Sequence, residues 1–150
     1  MALEVLRSKE RKEVFEKVKE NYGIEGLNHM LFRLGREKVY AYSGSLSRDE
    51  IIQLAQIANV EIVGLYFAKE QNGMKLSFDA TQAFKDKITE NILEIGDAQL
   101  KDWMLGIDLE VKCPKGFVVV KHGGDFVGCG KSNGDKVFNY VPKERRVRLS

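Results

Sequence analysis

The stretch from residue 117 to residue 148 constrains the fold most strongly, because glycine-containing breaks divide it into short segments rich in β-branched and aromatic residues. Such segments have high strand propensity, and Gly, Asn and Asp between them tolerate the positive φ angles of tight turns. The first two segments flank His122-Gly123-Gly124, and the third, residues 137–141, follows Asn133-Gly134. The stretch therefore predicts a three-stranded meander.

A glycine-rich segment, GCGKS at residues 128–132, lies inside this meander and invites comparison with a phosphate-binding loop. A P-loop requires a glycine five positions before the glycine of its Gly-Lys-Ser, and it must open a helix whose N-terminus faces the phosphate. Here Asp125 occupies the first of those positions, and a turn and a strand follow Ser132. We therefore expect Gly128 and Gly130 to permit a bulge, a bend or a close neighbour in a strand.

The N-terminal residues predict a helix followed by a strand pair. Ser8 is a suitable N-cap for a helix that runs to about Asn21 with apolar residues at spacings of three and four, and Gly23 ends it. Residues 30–34 and 39–42 have the composition of two strands joined by a glycine-containing turn. This segment predicts an amphipathic helix next to a β-hairpin.

The next segment predicts a second helix and a second hairpin in this half of the chain. Ser47 and Glu50 have the spacing of a capping box, in which the two side chains satisfy free backbone N–H groups at the start of a helix. Asn59 can close this helix in the left-handed conformation. Residues 60–68 and 74–78 are β-prone and flank a Gln-Asn-Gly turn.

Two shorter helices and one strand are predicted before the meander. Asp79 and Gln82 repeat the capping-box spacing ahead of a short helix. Residues 92–95 are a predicted strand, and Asp97 is predicted to cap a helix that continues to the residue before Gly106. Gly106 is in the correct place for a helix C-cap.

The composition is typical of a soluble globular domain, with 43% hydrophobic and 31% charged residues. The sequence contains no apolar run near the roughly 20 residues that a membrane helix requires, and its early charges argue against a secretory signal. We therefore expect a cytoplasmic protein. Cys113 and Cys129 do not form a CxxC pair, which favours buried thiols over a metal site.

Charge is distributed unevenly along the chain. Residues 1–110 contain 15 Lys and Arg against 19 Asp and Glu, whereas residues 111–150 contain 9 against 3. A basic segment of this kind is the electrostatic pattern expected of a surface that binds phosphates, with a solvated lysine-rich surface as the alternative.

The order of motifs in the C-terminal part resembles a PUA-like RNA-binding domain. These motifs are Leu105-Gly106, an acidic loop, Pro-Lys-Gly, Phe-Val-Val-Val and Gly-Gly-Asp-Phe-Val-Gly-Cys-Gly-Lys. They are similar to the C-terminal module of the Nol/Nop/Sun family of RNA 5-methylcytosine methyltransferases. Tyr140 and Pro142-Lys143 match a Tyr-Pro-Lys-like segment of that module, except that Val141 is inserted. The residues before 92 resemble the pre-PUA lobe of those enzymes and of PUA-containing ribosome-biogenesis factors.

The resemblance implies an α+β fold in which a small α/β pre-PUA lobe, residues 1–90, precedes a PUA-like mixed β-barrel, residues 91–150. The related methyltransferases also have a Rossmann-like domain with a glycine-rich cofactor loop and a nucleophilic cysteine preceded by proline. This sequence has no strand-GxGxxG-helix unit, and Cys113-Pro114 has the reverse order. We therefore expect a binding module rather than an enzyme, with no catalytic residue and no cofactor.

RNA binding requires cations for phosphates, flat side chains for unstacked bases and backbone donors. By resemblance, PUA domains hold RNA beside the glycine loop after their helix, here at Gly106, and Lys101 is then a secondary candidate. Tyr140 could stack on an unpaired base, or it could be a core aromatic residue. The alternation of side chains along the predicted strands does not decide which face of the sheet is exposed. The expected RNA-binding residues are Lys101, Gly106, Lys112, Lys115, Lys121, Lys131, Lys136, Asn139, Tyr140, Lys143, Arg145, Arg146 and Arg148.

The expected partner is rRNA or tRNA during maturation, modification or ribosome biogenesis, together with an RNA-modifying enzyme or a ribosome-assembly factor. Neither a membrane nor DNA is expected as a partner. The alternative is an adaptor that binds an RNA methyltransferase or an assembly factor through its first lobe, with the basic residues forming a solvated surface.

Overall fold

The computed structural model describes residues 3–57 and 64–148. Its N-terminal part contains a five-stranded antiparallel sheet in which the strands follow chain order from one edge to the other. The strands are β1 (Leu3–Val5), β2 (Met30–Leu34), β3 (Lys38–Tyr42), β4 (Leu65–Glu70) and β5 (Met74–Leu76). Both predicted hairpins of this half are confirmed, while Asn59 and the start of the predicted strand 60–68 lie outside the described residues.

The helices of the described residues are α1 (Ser8–Tyr22), α2 (Arg48–Ile57), α3 (Phe78–Ala83) and α4 (Asp97–Met104), and a 3-10 turn covers Lys143–Arg145. The α1 helix buries Val14, Val18 and Tyr22, which recur at spacings of four. Gly23 ends this helix as predicted, in the left-handed conformation with its N–H bonded to the Lys19 carbonyl.

The C-terminal part contains a mixed four-stranded sheet. Its strands, again in chain order, are β6 (Ile92–Glu94), β7 (Gly116–His122), β8 (Asp125–Ser132) and β9 (Val137–Asn139). The β6 and β7 strands are parallel, and β7, β8 and β9 are antiparallel neighbours. The predicted meander is confirmed, and the two sheets with four helices form a mixed α/β fold.

One hydrophobic core connects the two halves of the chain. Val14, Val18 and Tyr22 of α1 belong to the same buried cluster as Val119 of β7 and Phe126 of β8. This cluster covers one face of the five-stranded sheet, and a separate cluster fills the space between the opposite face and α2. Burial of this kind stabilises a domain by about 25 cal/mol per Å² of apolar surface. The two halves therefore pack as one body along α1, β7 and β8.

A third core cluster lies between α4 and the C-terminal sheet and is centred on Trp103. The Trp103 side chain is fully buried, and its indole N–H donates to the Val127 carbonyl at 2.7 Å. Val118, Val137 and Val141 belong to the same cluster. This packing fixes α4 against the inner face of the sheet. On the outer face, Val119 and Phe126 belong to the core shared with the N-terminal half, and Phe138 is exposed to the solvent.

The glycines of the GCGKS segment lie in β8, where they allow close neighbours, as the sequence predicts. A Cβ atom on Gly128 would lie 2.9 Å from the Phe78 ring of α3, and Gly128 has a φ of +100°. A Cβ atom on Gly130 would lie 2.6 Å from Val137 and 2.9 Å from Trp103. Neither glycine opens a helix, so the segment has the geometry of a strand rather than of a phosphate-binding loop.

Three predicted helix caps are wrong by one or two residues. Ser8 and Asp97 are the first residues of their helices, and the N-cap positions belong to Arg7 and Gly96. The α3 helix is capped by Ser77, whose Oγ accepts from the Ala80 N–H, rather than by Asp79. Ser, Thr and Asp also occur inside the first helical turn, so residue type alone does not separate a cap from its neighbour.

The Ser47 and Glu50 capping box is confirmed. The Glu50 N–H donates to Ser47 Oγ at 3.1 Å, and the Ser47 N–H donates to the Glu50 carboxylate at 3.2 Å. Within residues 3–57 and 64–148, no helix is long and apolar enough to cross a membrane.

Candidate nucleic-acid interface

The outer face of the C-terminal meander presents aromatic rings and lysines in lateral register. Phe117 of β7 pairs with Lys131 of β8, and Lys131 pairs with Phe138 of β9. Directly paired residues project from the same side of a sheet, so these three side chains form one row across three strands. Phe138 is 37% exposed, whereas Val137 beside it is fully buried. We call the surface formed by Lys75, Phe117, Lys131, Lys136, Phe138 and Tyr140 the aromatic-basic face.

Each aromatic ring of this face lies beneath a lysine ammonium. Lys131 Nζ is 5.0 Å from the centroid of the Phe117 ring, and Lys136 Nζ is 5.0 Å from the centroid of the Phe138 ring. Phe138 is exposed, whereas Phe117 is half-buried and packs against the core cluster that contains Val119. Cation–π contacts near a protein surface stabilise by about 0.5–1 kcal/mol and hold each lysine close to its ring. The face therefore offers flat apolar surfaces and mobile cations side by side.

Tyr140 extends the face to the five-stranded sheet. Its ring is 38% exposed, which identifies it as a surface aromatic rather than a core residue. Lys75 of β5 places its Nζ 4.6 Å from the Tyr140 ring centroid, and the Phe117 and Tyr140 centroids are 6.5 Å apart. Partial burial, reinforced by the charge of Lys69, lowers the pKa of Lys75. The two halves of the chain thus contribute to one surface.

Several of the predicted cations form exposed or half-exposed ion pairs. The pairs are Lys136 with Asp108 at 3.5 Å, Lys121 with Glu94 at 4.0 Å, and Arg145 with Asp79 at 2.9 Å. Ion pairs at a protein surface contribute about 0–1 kcal/mol and are screened by salt, so a phosphate can replace the carboxylate. These three cations lie at different places, and only Lys136 belongs to the aromatic-basic face.

Arg146 and Gly106 pack against each other at the end of α4. Arg146 Nε donates to the Val141 carbonyl at 2.9 Å, and a Cβ atom on Gly106 would lie 2.7 Å from Arg146 Cζ. Gly106 follows the C-cap residue Leu105 and has a φ of +91°, so it ends the helix in a left-handed conformation. The predicted glycine loop is therefore covered on one side by a predicted cation.

Asn139 uses its whole side-chain amide inside the protein. Its Nδ2 donates to the carbonyls of Trp103 at 2.8 Å and Ile107 at 3.0 Å, and its Oδ1 accepts from the Val141 N–H at 2.8 Å. These bonds connect β9 to the end of α4. The Asn139 side chain was predicted to bind RNA, but its amide is already hydrogen-bonded within the protein.

The remaining predicted residues are exposed and come from other segments of the chain. Lys101 is on α4, Lys112 and Lys115 are in the loop before β7, and Lys143 is in the 3-10 turn, with Arg148 at the end of the described chain. The described residues contain no group of three or more His, Cys, Asp and Glu side chains that could hold a metal ion.

Sequence reasoning missed three members of the aromatic-basic face, Lys75, Phe117 and Phe138. For Phe138, a signal was available, because it alternates with Lys136 and Tyr140 along one strand and therefore shares their face. Lys75 gave no such signal, since its place beside Tyr140 results from the packing of the two sheets.

Comparisons with known proteins agree on the type of domain. Residues 90–147 match the family described as the methyltransferase RsmF PUA domain. Two relatives are both named ribosomal RNA small subunit methyltransferase F. The protein of Aeromonas salmonicida is 29% identical and that of Aeromonas hydrophila 31% identical, each over 85 residues. Each alignment covers 55% of this chain but only 18% of the relative, so the chain corresponds to a small part of those methyltransferases.

A solved structure resembles the whole chain. It is described as the structure of a conserved PUA domain protein from Thermoplasma acidophilum, and it matches with a TM-score of 0.64 at 13% sequence identity. The match covers 96% of this chain and 97% of that protein. The chain therefore has the fold of a PUA domain protein, and it contains a PUA-like domain similar to the C-terminal module of the Sun-family RNA methyltransferases.

Proposed function

We propose that this protein binds RNA and that the aromatic-basic face is its binding surface. The observation that supports this proposal best is the row formed by Phe117, Lys131 and Phe138 across three strands. Neighbouring strands are about 4.8 Å apart, so the two phenyl rings are separated by about 10 Å with a lysine between them. This spacing allows one unstacked base on each ring and a phosphate at the lysine.

The chemistry of the face favours single-stranded RNA or the unpaired bases of a loop. Stacking of a base on an aromatic side chain contributes about 1–3 kcal/mol and is tolerant of sequence, because every base has a flat face. Lys131 and Lys136 already lie over rings, and their flexible side chains can move from the ring to a backbone phosphate. Duplex RNA keeps its bases stacked inside the helix and cannot use the rings in this way.

The likeness to RsmF-type PUA domains supports the same function. The two Aeromonas relatives are named as methyltransferases of ribosomal RNA, and the part of them that aligns with this chain is 18% of their length. We propose that this chain contributes binding rather than catalysis, and that it acts on rRNA or tRNA during maturation or modification, as part of ribosome biogenesis. An RNA-modifying enzyme or a ribosome-assembly factor is the protein partner that we propose for it.

The experiment measures affinity for a fluorescent single-stranded RNA by anisotropy at several salt concentrations. Phe138→Ala should weaken binding about tenfold because one stacking surface is lost. Leu46→Ala is the matched control, since Leu46 is 38% exposed against 37% for Phe138 and lies between β3 and α2, far along the chain from the face. Lys131→Glu should weaken binding and lower the slope of log affinity against log salt by about one.

Lys85→Glu, at an exposed position outside the face, is the charge control and should leave the affinity within about twofold, apart from a general loss of electrostatic attraction. If Phe138→Ala and Leu46→Ala bind RNA equally well, the aromatic-basic face is not the binding surface. If the wild-type chain captures the same proteins before and after RNase treatment, the adaptor function replaces the one proposed here.

A further inference from the structure

Three arginines from the starts of α1 and α2 line one cavity in the N-terminal half. The cavity has a volume of about 620 Å³, and its lining consists of Val5, Leu6, Arg7, Ser8, Arg11, Asn28, Met30 and Arg48. We propose that this cavity binds the phosphate group of a nucleotide, separately from the aromatic-basic face. The convergence of Arg7, Arg11 and Arg48 on one space is the observation that supports this proposal.

The three arginines come from the first turns of two helices. Arg7 precedes α1, Arg11 lies one turn later in α1, and Arg48 is the first residue of α2. Arg11 is held in place, because its Nε donates to the His29 carbonyl at 2.8 Å and its guanidinium lies 4.8 Å from the Phe15 ring centroid. The Nη groups of Arg11 form no hydrogen bond within the described part of the chain, so they can donate to a ligand.

Within residues 3–57 and 64–148, the three arginines of this cluster have no ion-pair partner. Among the described residues, no carboxylate lies within 4.0 Å of Arg7, Arg11 or Arg48. Arg33 of β2 is different, because its charge is paired with two carboxylates, those of Glu10 and Glu70, each at 3.0 Å. Guanidinium groups match the oxygen geometry of a phosphate and form charge-assisted hydrogen bonds with it.

The cavity has room for more than a phosphate. Its volume is within the range of about 300–1,000 Å³ that is typical of small-ligand sites. The lining includes the nearly fully buried apolar residues Val5 and Leu6, together with the polar residues Ser8 and Asn28. A lining that combines apolar residues with three cations suits a nucleotide, whose base is flat and whose phosphate is charged.

The cavity and the aromatic-basic face lie at opposite edges of the five-stranded sheet. The cavity is bordered by β1, at one edge, and Lys75 of the face belongs to β5, at the other edge. The nucleotide can come from two sources, either a free mononucleotide or a nucleotide of an RNA chain already bound to the face. Only the second source depends on the function proposed above.

The test titrates the full chain with adenosine monophosphate by calorimetry, with adenosine as the ligand that lacks the phosphate. Arg7→Gln/Arg48→Gln removes two cations whose side chains form no hydrogen bond or ion pair among the described residues. Arg36→Gln/Lys85→Gln removes the same charge at exposed positions outside the cavity. We expect the first variant to bind the mononucleotide about tenfold or more weakly, as for loss of charged hydrogen bonds, and the second to match wild type.

A second arm measures 5′-phosphorylated single-stranded RNA with the same two variants. A selective loss of RNA affinity in Arg7→Gln/Arg48→Gln, with no binding of the mononucleotide, assigns the cavity to a nucleotide of bound RNA. Equal binding of both ligands by both variants, or equal binding of adenosine and its monophosphate, overturns the proposal. Phe138→Ala should leave the mononucleotide titration unchanged, so failure of the face and failure of the cavity give different results.

Discussion

The guanidinium group of Arg146 lies directly over Gly106, so that a Cβ atom on this glycine would be 2.7 Å from Arg146 Cζ. The contact holds the C-terminal segment against the end of α4, and the Val147 N–H adds a hydrogen bond to the Met104 carbonyl at 2.8 Å. The positive φ of residue 106 favours glycine, and a side chain at this position would also displace the flexible end of Arg146.

Gly106→Ala should lower the free energy of unfolding by about 1–3 kcal/mol, because alanine is strained at a φ of +91° and its methyl group would displace Arg146. Urea denaturation measures the change. The same substitution in an Arg146→Ala background should cost less, because the steric part is removed while the backbone strain remains. A neutral effect of Gly106→Ala would contradict this account of the helix end.

Asn139 and Phe138 should separate stability from binding. Asn139→Ala removes three hydrogen bonds, including those to the Trp103 and Ile107 carbonyls, and should destabilise the protein by about 1–3 kcal/mol. Denaturant unfolding and RNA anisotropy, each measured on folded protein, should show lower stability with little change in affinity. Phe138→Ala should give the reverse pattern, since its side chain is exposed. Loss of RNA affinity in a fully stable Asn139→Ala variant would show that Asn139 binds RNA, as the sequence predicted.

The N-cap of α3 is Ser77 in the structure, whereas the sequence predicted Asp79. Ser77→Ala should destabilise the protein by about 1–2 kcal/mol, because its buried Oγ accepts from the Ala80 N–H at 3.0 Å. Asp79→Ala should cost within about 1 kcal/mol, since it loses only the exposed ion pair with Arg145. Thermal unfolding of both variants makes the comparison, and an equal or larger cost for Asp79→Ala would show that the cap is misassigned.

The order of the elements was predictable because glycine and asparagine turns act locally. The meander follows directly from the breaks at Gly123 and Gly134, and both of these residues have positive φ angles. The pairing of β6 with β7 was not predictable in this way, because parallel strands are joined by a long connection whose direction depends on packing. The short β1 strand gave no signal, since three residues are too few to show alternation.

The candidate site was predictable in composition and less so in arrangement. Lys131, Lys136 and Tyr140 were identified from charge and residue type, and they lie together on the aromatic-basic face. Their union with Phe117 depends on the register of β7 and β8, which one sequence does not specify. In contrast, Asn139 has the polarity of a binding residue, but its hydrogen bonds to the end of α4 are non-local contacts.

The protein should become less stable in alkaline solution because the buried Cys129 thiol resists ionisation. Its thiol is buried in β8 and lies 3.9 Å from the Tyr22 hydroxyl, and burial raises its pKa from an ordinary value of 9.0 to about 12. A group whose pKa is raised by folding stabilises the native state below the unfolded pKa, and this contribution is lost as the pH rises toward the folded pKa. The loss should therefore begin near pH 9 and continue toward pH 12.

Urea unfolding between pH 8 and pH 10.5 measures this effect, with a slope from one thiol of at most about 1.4 kcal/mol per pH unit. Cys129→Ala should be less stable than wild type at pH 8, because it loses packing in the core, but its stability should fall less steeply with pH. Burial also raises the pKa of Tyr22, so part of the alkaline slope should remain in the variant. Equal slopes for the two proteins would show that the Cys129 thiol ionises as readily in the folded chain as in the unfolded one.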